Sequence, residues 1–186
     1  MKKLTKISVF DLDETVARMP SYTASKYVEK STDGYFLFPT PYSFYDHPLS
    51  MDRSIHNIQF ISPVLDDWQR SVLDIKSRTI LITHRTEQLR PYVNQVVEKA
   101  VFGFDAIYCL GRVTEKFDTL LKELKKYPEI ATVDIYEDTL EQIIKYRTGF
   151  ESLSRKYEVN FYFVDKSNVF RLLDFKVDEK RKIKLI

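Results

Sequence analysis

An α/β architecture built on a central parallel sheet is what this sequence predicts, and three observations predict it. Short apolar runs rich in β-branched residues recur at about residues 4–10, 79–83, 105–109, 131–136 and 159–164, each fit to lie buried on both faces of a sheet. Segments with helical apolar spacing separate the later runs, and strands that alternate with helices become parallel strands joined by right-handed crossovers. Two of the runs close in acids, which puts charge where such a sheet opens to solvent, beyond its carboxyl ends. With 186 residues, 44% of them hydrophobic and 14% aromatic, the chain is long and apolar enough for one domain, residues 1–186, with a real core.

The first run, Ile7-Ser8-Val9-Phe10, leads straight into Asp11-Leu12-Asp13-Glu14-Thr15. Residues from about 18 to 60 then break the alternation, with prolines at 20, 39, 41 and 48, no clear helical period, and Tyr22, Tyr27, Tyr35, Phe36, Phe38, Tyr42, Phe44 and Tyr45 close together. That many aromatics is too many for a disordered linker, so the segment reads as an ordered insert, either a flap or small cap over the site or extra cladding of the core. Ser62-Pro63 reads as an N-cap with proline in the first turn, opening a helix whose core stripe is Val64, Leu65, Trp68, Val72, Leu73 and Ile75. A second helix is expected over about 87–99, with Leu89, Val93, Val96 and Val97 on one face. A third is expected over about 115–126, with Phe117, Leu120, Leu121 and Leu124 inward, and a fourth over roughly 140–156. The mixed-charge stretch Asp178–Lys184 is expected to add an edge strand or to fray.

Composition narrows the function. Lys and Arg number 29 against 27 Asp and Glu, a net charge of +2, so any claim on nucleic acid must come from local patches. Four glycines are too few for a Gly-rich phosphate cradle or a dinucleotide fingerprint. Cys109 stands alone in an apolar run and reads as core, which suits a reducing compartment. Met1-Lys2-Lys3 runs directly into a strand without an apolar leader, so a soluble, cytoplasmic protein is expected.

The chemistry gathers at strand ends. Asp11 and Asp13, one residue apart after an apolar strand, suit a hard cation and a phosphate; the plain alternative is a loop in which Asp13 or Thr15 caps a helix. Thr83 closes Thr79-Ile80-Leu81-Ile82 with a hydroxyl able to donate to a phosphoryl oxygen. Arg85, two residues on, reads as a contact to a second phosphate or the substrate body, or as a surface salt bridge. Lys116 opens a helix and opposes its dipole, so it is either solvated or serving an anion, with Arg112 and Lys122 in reserve. Val133-Asp134-Ile135-Tyr136-Glu137-Asp138 again ends in acids, and Asp138 first, Glu137 second, would complete an oxygen-rich site suited to Mg²⁺.

These motifs, in this order, resemble those of the haloacid dehalogenase (HAD) superfamily of aspartate-nucleophile phosphatases. Asp11-Leu12-Asp13-Glu14-Thr15 is similar to its D-x-D-x-T motif, Thr83 to its second motif, Lys116 to its third, and Glu137-Asp138 is a variant of its fourth. The resemblance covers residues 4–15 and about 79–165. More narrowly, Tyr136-Glu137-Asp138, Thr114-Glu115-Lys116-Phe117 and the Pro-rich segment ahead of the Trp68 helix look like the Swiss Army Knife RNA repair-like HAD domain. The chain differs in having His84-Arg85 where many members have Gly-Arg, and Thr139 where the narrower group usually has Arg. The resemblance implies a Rossmannoid three-layer sandwich with a central parallel sheet and a small cap. It implies Asp11 as nucleophile, Asp13 as general acid and base, Thr83 and Lys116 on the phosphoryl oxygens, and Mg²⁺ held by Asp11, the Asp13 carbonyl and Asp138. The expected activity is Mg²⁺-dependent phosphomonoester hydrolysis through an aspartyl phosphate. Its substrate would be a nucleic-acid 3′ or 5′ end or a nucleotide, with Lys26, Lys30, Arg53 and His56 beside the insert aromatics as strand contacts. A sugar or nucleotide metabolite is the alternative substrate, and a non-catalytic binding module the alternative function.

Overall fold

In the computed structural model, which describes residues 3–112, 114–172, 175–177 and 183–185, the first apolar run becomes β1 (Lys6–Phe10) and takes the centre of a six-stranded sheet. The two-residue stem strands β2 (Ala17–Arg18) and β3 (Gln59–Phe60) follow, and the remaining sheet strands are β4 (Ser77–Thr83), β5 (Ala106–Cys109), β6 (Thr132–Glu137), β7 (Glu158–Asp165) and β8 (Asn168–Leu172), in the spatial order β5-β4-β1-β6-β7-β8. Within the six-stranded sheet all pairings are parallel except β7 with β8. The expectation of a wholly parallel sheet is therefore corrected at one edge. β8 is reached by a tight turn through Lys166 at φ 55°, a connection that only antiparallel neighbours allow.

Alternation along the strands builds two cores from one sheet. Phe10, Leu81 and Tyr136 face α3 (Ser62–Leu73) and α4 (Arg90–Val97), which contribute Val64, Trp68, Val93, Val96 and Val97. Ile7, Val9, Ile80, Ile82, Val133 and Ile135 face α5 (Lys116–Lys126) and α6 (Leu140–Glu151), which contribute Leu120, Leu124, Ile143, Tyr146 and Phe150. Helices thus cover both faces, giving a Rossmann-like α/β arrangement. The expected stripe of α3 is right at Val64 and Trp68 and wrong at its end: Val72 and Leu73 are 38% and 71% exposed, and Ile75, 64% exposed, lies past the helix, which ends at Leu73. Ser62 is the first helical residue and makes no side-chain cap; Ile61 takes the N-cap position instead. The fourth helix stops at Glu151 rather than 156.

The insert is ordered around a small core of its own. It leaves the body through the antiparallel β2–β3 stem and holds two short helices, α1 (Ser25–Ser31) and α2 (Pro41–Tyr45), where sequence periodicity shows none. Val28, Phe38 and Phe44 are buried together, with Tyr22, Phe36, Tyr45, Leu49 and Ile55 against them. No helix follows Asp13 and Thr15, which sit in a tight turn closed by Val16 N–H on Leu12 O (3.1 Å), so neither caps one. At the other end, β9 (Phe175–Val177) pairs antiparallel with β10 (Ile183–Leu185), a separate ribbon rather than an added edge; residues 178–182 lie outside the described residues.

Topology positions the site. From β1 the chain runs to β4 and β5 on one side, then crosses to β6 and runs on to β7 on the other. The crevice between the carboxyl ends of β1 and β6 is the switch point, where open α/β sheets bind ligands. Register brings the two ends level: Phe10 pairs with Tyr136, and the Asp11 amide donates to Tyr136 O at 3.1 Å.

Candidate active site

Level strand ends set Asp11 beside Glu137 and Asp138, and one carboxylate oxygen from each lies within 4.8 Å of the others. Lys116, the first residue of α5, reaches into this group from the side, with Nζ 2.7 Å from Asp11 Oδ1 and 2.7 Å from Glu137 Oε2. The sequence left Lys116 either solvated or serving an anion, and here it is 3% exposed between two carboxylates. Their charge offsets both its desolvation and its unfavourable place at a helix amino terminus. Gly149 of α6 supports the placement from behind. A Cβ there would stand 2.5 Å from the Phe117 ring, so only glycine lets α6 pack this close to the residue after Lys116.

The charges in this group do not balance. Three carboxylates face one ammonium in a buried crevice, leaving an excess of two negative charges when all are ionised. Burial accordingly drives the Asp11 carboxyl up to about 7, with Lys116 opposing and Glu137 and Asp13 adding to the rise. Burial likewise raises Glu137 to about 7 against the pull of Lys116, and Asp138 to about 6 with Asp11 adding to it. Burial alone would lower Lys116, but Asp11 and Glu137 outweigh it and hold the ammonium above its ordinary value. A buried all-oxygen donor set short of two positive charges fits a hard divalent cation. Lys116 takes one oxygen of Asp11 and one of Glu137, which leaves the other oxygen of each, together with Asp138, to hold such a cation.

Asp13 stands apart from that group. Its side chain is 35% exposed and turns to Arg85, whose Nε donates to both carboxylate oxygens at 3.1 Å. Arg85 is not a surface salt bridge: it lines the cavity beside Asp13. It is 4% exposed, and its Nη1 donates onward to Tyr45 O and to Ser50 Oγ, the latter at 2.9 Å. Thr83 ends β4 fully buried, and its Oγ1 accepts from the Arg85 amide at 3.2 Å. It is not among the residues that line the cavity, and its hydroxyl braces the following loop. Lys122 is exposed and away from the site, whereas Arg112 lies at the mouth, paired with Asp46 at 3.3 Å.

Above these groups opens a cavity of about 660 Å³, floored by Asp11, Lys116, Glu137 and Asp138 and roofed by insert residues that include Pro20, Tyr45 and Asp46. The insert therefore covers the site as well as cladding the core. Sequence reasoning missed Arg18, exposed at the rim, and Glu14, whose Oε1 accepts from the Met19 amide at 3.0 Å; nothing in their spacing marked them. His84 also lines the cavity, pushed down to about 4 by burial and by Lys116. It is therefore neutral at pH 7. Of the nucleic-acid contacts expected on the insert, His56 is buried with Nε2 on Leu49 O at 2.9 Å, and Lys26 is paired with Glu29 at 2.8 Å; Lys30 and Arg53 remain exposed.

Among the described residues, no helix is long and apolar enough to cross a membrane. Compared with known proteins, the chain matches no family model, no curated sequence and no solved structure.

Proposed function

We propose that this protein is a Mg²⁺-dependent phosphomonoester hydrolase of the HAD type, acting through an aspartyl phosphate on Asp11. One observation carries the reading: three carboxylates and a single lysine from three distant parts of the chain meet at the switch-point crevice, beneath a roofed cavity. A bound Mg²⁺, held by Asp11 and Asp138 with the Asp13 carbonyl as a further ligand, supplies the charge that keeps Asp11 ionised and offsets the incoming phosphate.

Asp11 attacks phosphorus in line, forming the aspartyl phosphate as the bond to the leaving oxygen breaks. Asp13 gives its proton to the departing alkoxide. It then takes a proton from the water that attacks phosphorus, so inorganic phosphate leaves and Asp11 is restored. Lys116 holds Asp11 in line and meets the phosphoryl charge. Glu137 fixes Lys116.

For the substrate, the rim favours a flat group. Arg112 lines the cavity and holds its guanidinium 3.7 Å above the ring of Tyr42, which lies outside the cavity lining and is 60% exposed, and a nucleobase can stack on the guanidinium plane or the open ring. A nucleotide or nucleic-acid end is therefore the favoured substrate class, with sugar phosphates the alternative. Phosphate release from 3′- and 5′-phosphorylated oligonucleotides, mononucleotides, sugar phosphates and p-nitrophenyl phosphate, with and without Mg²⁺, tests the whole reading. Turnover that needs Mg²⁺ and disappears in Asp11→Asn supports it; turnover retained by that variant refutes it.

A further inference from the structure

The guanidinium of Arg85 stands between two groups. On one side are both carboxylate oxygens of Asp13, and on the other the Tyr45 carbonyl and the Ser50 hydroxyl, both in the insert. Its backbone is pinned as well, with the amide on Thr83 Oγ1 (3.2 Å) and the carbonyl accepting from Gly111 N–H (3.1 Å). Ser50 is in turn held inside the insert, its Oγ bonded to His47 O at 2.8 Å. A planar guanidinium offers its donors in a fixed fork, so a shift of the insert that moves the Tyr45 and Ser50 acceptors must rotate the fork on Asp13.

Asp13 needs such a hold. It lies in a tight turn with its side chain 35% exposed, where an aspartate otherwise samples several rotamers. We infer that Arg85 is a positioning residue through which the docked insert sets the orientation of the Asp13 carboxyl. Coupling of this kind is reciprocal, so Asp13 also holds the insert down. The catalytic half of the inference rests on the phosphatase reading; the mechanical half does not.

Two measurements test the two halves. In hydrogen exchange followed by mass spectrometry, Asp13→Ala and Arg85→Gln raise the exchange of residues 41–58 by roughly tenfold, the scale expected when charge-assisted hydrogen bonds are lost, while Asp11→Asn leaves it unchanged. Asp13→Ala removes a partly exposed side chain and keeps the fold even if Arg85→Gln does not. Unaltered exchange in Asp13→Ala overturns the coupling whatever the enzyme does. In turnover, a misplaced general acid harms poor leaving groups most. Arg85→Gln lowers kcat on an alkyl phosphate by about tenfold or more and on p-nitrophenyl phosphate by less than about threefold, and Ser50→Ala does the same more weakly. An equal loss on both substrates marks a merely structural arginine, and a rise in KM alone marks a substrate contact; either overturns the positioning role. Should the wild type release phosphate from nothing, the phosphatase reading falls with the catalytic half of this inference, and exchange alone still decides the coupling.

Discussion

Lys116 is the residue on which the site turns, because among the described residues it is the one cation paired with the acidic group. Replacing it by Met leaves Asp11 and Glu137 buried without their ammonium, and removing one partner of a buried ion pair costs about 3–5 kcal/mol. Urea unfolding of Lys116→Met is expected to show that loss, reduced by added Mg²⁺; stability equal to wild type would mean that the carboxylates are already neutral. Asp11→Asn keeps Lys116 paired to Glu137, so it folds while its turnover drops by at least about 10³-fold, measured as phosphate release beside a circular-dichroism melt. Asp11, Lys116, Glu137 and Asp138 were legible in the sequence because each sits at a strand end or helix start, where local pattern fixes position. Arg85 was not. Its partner Asp13 lies 72 residues away, and nothing local tells whether an arginine past a strand points to solvent or folds back under an insert.

Among the elements, α5 and α6 are held at the distance that places Lys116. Alanine normally improves a helix over glycine by about 1 kcal/mol, yet at position 149 its Cβ would stand 2.5 Å from the Phe117 ring, which is packed against Phe150 and Tyr146. Gly149→Ala is therefore expected to destabilise by about 1–3 kcal/mol and to lower turnover by tilting α5; a raised melting temperature would show that the helices simply part. The insert has its own sensitivity. Burial lowers the pKa of both His47 and His56, so the folded insert prefers them neutral, and their contribution is complete above the unfolded value near 6.5 and lost as pH falls below it. The protection of residues 41–58 against amide exchange, taken relative to the intrinsic exchange rate at each pH, should fall between pH 7 and 5, and His56→Asn should weaken that dependence. The short helices α1 and α2 were invisible to periodicity because seven and five residues make too few turns to show a stripe. β8 escaped for a related reason: it is a five-residue edge strand whose Phe170 is 50% exposed, unlike the doubly buried runs that announce a parallel sheet.

At the scale of the whole molecule, the fold stores an electrostatic cost at its switch point. The parallel order of β1 and β6 was readable from alternating strands and helices, but the depth at which it buries Asp11, Glu137 and Asp138 is a property of the assembled layers. Each carboxyl sits above its ordinary value near 4, at about 7, 7 and 6. A raised carboxyl is protonated in the folded state while its unfolded counterpart has already ionised, so stability is greatest below about pH 4 for these groups and falls as pH climbs through 7. A divalent cation that takes the place of those protons reverses the trend, since it binds the ionised folded site and not the unfolded chain. Melting curves with and without Mg²⁺ should therefore differ little at pH 5 and by about 5–10 °C at pH 8 when the ion is present at roughly a hundred times its dissociation constant. Asp138→Asn removes one of the three carboxylates placed to hold the ion and lowers the repulsion at the same time, so that variant should melt higher than wild type without Mg²⁺ at pH 8 and gain less from adding it. A Mg²⁺ effect that is the same at both pH values, or the same in Asp138→Asn, would place the ion somewhere other than this crevice.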